Sequence, residues 1–160
     1  MAETVVVNMG DVQEKNPLAK GIYTFTFKDN RAFLVRSKKE GSDWIGLQGI
    51  VVPEGHPDDA FTVWMAVNHS MSNSLDGKKF LKGLGYKVEG ADAVRLGGDL
   101  AVHGEDGKVD PKSAPQAMLS IEGRPPVPVG FLKFKGETIL ETGDQGRKQP
   151  RLNAVLGRVE

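Results

Sequence analysis

Between Ile22 and Lys28 the rings of Tyr23, Phe25 and Phe27 alternate with Thr24 and Thr26. A period of two places all three rings on one face of an extended chain, whereas a helix would scatter them, so this segment reads as a half-buried strand. The same signal returns in Phe61 to Val67, where Phe61, Val63, Met65 and Val67 share one side and Trp64 takes the other. Asp29 and Asn30 both tolerate left-handed backbone, and Ala32 to Val35 follows, so a hairpin is expected there. Trp44 to Val52 is apolar or small at most positions and reads as a strand buried on both faces, ended by Pro53. Further strands are expected over Thr4 to Met9, around Val94 to Leu96 and Leu100 to Val102, over Val129 to Lys135 and Glu137 to Glu141 joined at Gly136, and over Leu152 to Val159.

One helix interrupts this series. Ser72 or Asn73 is placed to cap a segment running to Leu84, with Asp76 near its positive end and Lys78, Lys79 and Lys82 towards its negative end. Gly85 supplies the stop. Asp110 to Ile121 is open between a short helix, limited by Pro115, and a strand over its last four residues. Many short antiparallel strands with one central helix at about 72 to 84 predict a mainly β domain, a small barrel or a sandwich. The 160 residues suffice for a single domain over 1 to 160, with 86 to 128 as an insertion of open structure.

The chemistry-bearing residues do not assemble into a catalytic pattern. Cys is absent, which removes thiolate metal sites, disulfides and a cysteine nucleophile and fits a reducing compartment. His56, His69 and His103 lack zinc spacing, and His56 with Asp58 and Asp59 reads as a solvated turn in preference to a cation site. No nucleophile elbow is present; Gly77-Lys78-Lys79 lacks the rest of a phosphate loop, and Gly83-Leu84-Gly85 follows a helix where a dinucleotide fingerprint would precede one. No enzyme, cofactor or metal is expected. The N-terminus lacks the order of a secretory signal and no apolar run approaches the ~20 residues that span a bilayer, so a cytoplasmic location is expected.

A binding surface remains. Surfaces for single-stranded nucleic acid pair rings that stack on bases with Lys and Arg that neutralise phosphates. Tyr23, Phe33, Trp44, Trp64 and Tyr86 are the candidate rings, Tyr23 and Trp44 foremost; Arg31, Arg36, Lys38 and Lys39 lie near them, and Lys78, Lys79, Arg147, Lys148 and Arg151 form two further basic groups. Trp44 and Trp64 are both open between surface and core, while Phe25, Phe27, Phe61, Phe80 and Phe131 are assigned to the core. Lys plus Arg equal Asp plus Glu at 21 each, a balance that weighs against a strongly electrostatic binder and leaves a self-assembling or protein-interaction module as the alternative.

The run Asn16-Pro17-Leu18-Ala19-Lys20-Gly21-Ile22-Tyr23, followed by Ser37-Lys38-Lys39-Glu40-Gly41, resembles small phage-encoded single-stranded-DNA-binding proteins of the OB-fold kind. Lys78-Lys79-Phe80-Leu81-Lys82-Gly83-Leu84-Gly85 is similar to their helix, and Asn153-Ala154-Val155-Leu156 to their closing strand. The resemblance covers about two thirds of the chain in order; the stretched Pro17 to Gly21 spacing and the segment from Tyr86 to Pro128 depart from it. It implies an OB-like domain in the host cytoplasm that binds single-stranded DNA in replication or recombination, as a homo-oligomer or beside other replication and recombination proteins.

Overall fold

The computed structural model describes residues 18–39, 41–142 and 146–159. The strand expected over Thr4 to Met9, and Asn16 and Pro17 of the resemblance, lie outside the described residues. Nine strands and one α-helix occur among those described: β1 (Gly21–Arg36), β2 (Ile45–Pro53), β3 (Phe61–Ala66), α1 (Gly77–Gly83), β4 (Arg95–Gly97), β5 (Leu100–Ala101), β6 (Met118–Ser120), β7 (Val127–Pro128), β8 (Lys133–Thr142) and β9 (Lys148–Arg158). The larger sheet has the order β3-β2-β1-β8-β9, with β5 running parallel to the second half of β1, and the smaller has the order β4-β6-β7. No ladder joins β3 to β9 among the described residues, so the larger sheet is open and the architecture is sandwich-like, not a closed barrel.

The core lies between the inner face of the larger sheet, α1 and the smaller sheet. Phe25, Phe27, Leu47, Val51, Val63 and Met65 come from the first three strands, and Phe80 and Leu84 from the helical segment; Leu119, Phe134 and Leu152 close it. Phe134 is fully buried and packs against Phe25, Phe27 and Phe80 with centroid separations of 5.7, 5.9 and 5.3 Å.

Asp29 and Asn30 do take left-handed φ values of 56° each, but the chain does not reverse. Instead β1 continues through them as one bent strand whose two halves both pair with β2; Phe27 faces Val51, Ala32 faces Gly49, and residues 28–31 bulge opposite Ile50. The bulge changes which parity faces inward, from Phe25 and Phe27 to Ala32 and Leu34. Its hold comes from far along the chain. Gln116 donates through Nε2 to the Asn30 carbonyl at 3.0 Å and accepts from Ala32 N at 3.2 Å, while Gly130 packs so close to the Asn30 carbonyl that a Cβ there would overlap it.

The helix is shorter than the expected 72 to 84. Asp76, 2% exposed, is its cap: one carboxylate oxygen accepts from Lys79 N and the other from Met71 N, each at 2.9 Å, and this holds residues 71–76 in a turn ahead of the helix. Two further boundaries move. Val129–Phe131 is a 3-10 turn that leaves Phe131 62% exposed instead of in the core, and β8 runs unbroken through Gly136, which accommodates Leu152 and Phe25 where a side chain would stand. Of the two readings of 110 to 121, the strand holds, as β6. Segment 86–128 is integrated into the fold: Val94, Ala117 and Leu119 enter the main core, and Ala101, Val109 and Ala114 cover Phe33 and Val35 on the outer face of β1.

Candidate nucleic-acid interface

The loop joining β1 to β2 is closed by its own backbone. Ser37 N donates to the Trp44 carbonyl at 2.8 Å and Ser42 N to the Lys39 carbonyl at 3.0 Å, with Gly41 supplying the left-handed turn at φ 76°. Two residues after β3 fasten it from outside. Asn68 accepts from Ile45 N at 2.9 Å and donates to the Asp43 carbonyl at 2.7 Å; His69 Nε2 lies 3.1 Å from Asp43 Oδ1 and its ring stacks on Trp44 at 4.4 Å.

Parity along β3 sends Trp64 to the outer face, and its indole lies directly over Gly46 of β2, where a Cβ would overlap the ring. Trp64 therefore has one face against backbone while the residue stays 38% exposed. Trp44 and Trp64, with Ser37, Lys39 and the 41–43 turn, line a shallow hollow of about 490 Å³. Trp44 and Lys39 from the loop and Trp64 from β3 thus bring two indoles and one ammonium, beside the Asp43 carboxylate, to one hollow, a combination suited to planar rings linked by anionic groups.

The other expected site residues are dispersed. Lys38 is exposed on the same loop but lines a different hollow, together with Arg31. Arg31 is clamped, donating through Nε and a terminal nitrogen to the carbonyls of Pro111 and Ala114. Arg36 is exposed at the end of β1, and its carbonyl accepts from His103 Nε2 at 2.8 Å. Tyr23 faces the core side; its hydroxyl donates to the Ala19 carbonyl at 2.7 Å and its ring meets Phe25 and His56 edge-on. It does not join the tryptophans.

Lys78 and Lys79 are engaged near α1. Lys78 pairs with Glu89 at 2.7 Å; that hydrogen bond and charge hold the Glu89 carboxyl below the usual glutamate range and raise the Lys78 ammonium. Lys79 Nζ donates to the carbonyls of Met71 and Ser74. Arg147 and Lys148 are exposed where β9 begins, and Arg151 pairs with Glu141 in a cleft between β3 and β9 that Trp64 also borders. One basic group thus adjoins the tryptophan hollow, one reaches Trp64 through Arg151, and the α1 group does neither. Among the described residues no His, Asp and Glu group could hold a metal ion, and no helix is long and apolar enough to cross a membrane.

The orienting residues Asn68, His69 and Gly46 were invisible in the sequence, because each acts through a cross-strand contact. No family model, curated protein or solved structure matches the chain.

Proposed function

We propose that this protein binds single-stranded nucleic acid, DNA first, without reading its sequence. The observation that carries this is Trp64, packed over Gly46 yet 38% exposed, lining one hollow with Trp44 and Lys39 of the β1–β2 loop. Bases stack on indoles irrespective of identity, at ~1–3 kcal/mol each, and the neighbouring ammonium neutralises phosphate. The resemblance to phage single-strand binders supplies the context, replication or recombination in the host cytoplasm. A neutral chain is compatible with such binding when cations are segregated to one face, and the binding is then modest and salt-sensitive. Fluorescence anisotropy of a labelled oligothymidine tests it: saturable binding at low salt that weakens steeply as salt rises is expected, and no binding at low salt sinks it.

A second reading is favoured by the edge of the larger sheet. β9 is long, has no ladder partner on its far side among the described residues, and carries Leu156 exposed. Edges of this kind pair with other chains. Assembly of copies through β9 predicts an oligomer by light scattering that Leu156→Lys dissociates; a wild-type monomer removes it.

A further inference from the structure

The outer face that carries Trp64 does not end there. Gln48 of β2 sits opposite Trp64 on one side and Phe33 of β1 on the other, so Trp64, Gln48 and Phe33 form one row across three strands. Beyond Gln48 a second hollow, of about 400 Å³, opens between this face and residues 103–112. Its walls hold five Lys or Arg, namely Lys28, Arg31, Lys38, Lys108 and Lys112, against the two acids Asp29 and Asp110. Phe33, Ile50 and Val109 also line it, so cations and carbon surface are brought together in a space of small-ligand size.

The residues that shape this hollow are tied down. Gly104 N donates to the Lys108 carbonyl at 2.8 Å and Lys108 N to Asp106 Oδ1 at 3.0 Å, closing the 104–108 turn. Asp110 Oδ1 accepts from Lys112 N at 3.0 Å, and Arg31 spends its hydrogen bonds on Pro111 and Ala114, fixing segment 110–114 against the bulge of β1. Lys28, Lys108 and Lys112 are exposed, and none forms an ion pair with another described residue.

We propose that a single strand stacked at Trp64 continues across Gln48 into this second hollow, where Lys28, Lys108 and Lys112 hold its phosphates. This rests on the single-strand reading above and makes segment 103–112 part of the site. Cations alone would also suit an acidic peptide; the adjoining indoles on the same face favour a polyanion that carries rings.

The test uses the full chain, labelled oligothymidines of graded length and a salt series, comparing wild type, the triple variant K28Q/K108Q/K112Q and W64A. Each phosphate contact to a single strand contributes ~0.7 to the slope of log affinity against log salt, so the triple variant should be shallower by about 2. A fourfold rise in salt should then cost it about 16-fold less affinity than wild type. It should also gain less than wild type from longer oligonucleotides. If the triple variant does not fold, K108Q alone should show a slope change of about 0.7. A variant with the wild-type slope and length dependence overturns the second hollow while leaving binding at Trp64 intact. A lowered slope with W64A binding as tightly as wild type overturns the continuous track, and a wild type that binds no oligothymidine overturns both.

Discussion

Gly46 is the position where one hydrogen atom decides the shape of the candidate site. Any side chain there would overlap the Trp64 indole, so Gly46→Ala must push the ring off β2. The expected outcome is a shifted tryptophan emission maximum and oligothymidine binding weakened about tenfold or more, in the range of one lost stacking contact. Unchanged emission would mean that the ring does not depend on Gly46. Period-two parity already sent Trp64 to the face opposite Phe61, Val63 and Met65. That it lies over Gly46, and that His69 stacks on Trp44, was not legible, because both contacts cross from one strand or loop to another. Lys79 shows the reverse case: in the sequence it joins a basic run, in the fold its ammonium is spent on the carbonyls of Met71 and Ser74.

Elements are decided by their ends and by what grips them. Asp76 caps α1 and also holds Met71 N, so Asp76→Ala should cost about 1–2 kcal/mol, measured by denaturant unfolding, and Asp76→Asn less. The Lys78 and Glu89 pair bridges α1 to the following segment but is exposed at both ends. Because the Glu89 carboxyl is lowered in the folded state, whatever it contributes is present above the ordinary glutamate range and lost as pH falls through the lowered value. Exposure and salt make that contribution small, so Glu89→Gln should leave the thermal midpoint at pH 7 within error of wild type. The bulge of β1 is the element that the sequence hides. Asp29-Asn30 carries the chemistry of a turn, and whether it reverses the chain or kinks it is settled by Gln116 and Gly130, more than 80 residues away. Gly130→Ala should therefore be markedly destabilising although Gly130 lies in a short 3-10 turn, since the atom it would meet is backbone that cannot step aside.

At the level of the whole molecule, alternation identifies the first half of β1, and β3, with their inner faces, and an apolar run identifies β2, but the sequence predicts a hairpin where β1 in fact continues with its inward parity reversed by the bulge. Segment 86–128 is legible only in part: the sequence predicts short strands around 94–96 and 100–102, where β4 and β5 lie, but strands of two or three residues are too short for a period to set their faces, and the segment's apolar residues serve two clusters on opposite faces of β1. The core itself centres on Phe134, and Phe134→Ala should cost about 3–5 kcal/mol in denaturant unfolding, enough to remove much of a typical domain's stability. The proposed nucleic-acid binding, by contrast, uses the outer face and should survive core changes that leave the chain folded. The most direct measurement is intrinsic tryptophan fluorescence during titration with oligothymidine, in wild type and in Trp64→Ala, at low and high salt. Stacking at Trp64 predicts quenching in wild type that high salt abolishes, with most of it lost in the variant at unchanged thermal stability. Quenching that persists in Trp64→Ala, or none in wild type at low salt, would contradict it.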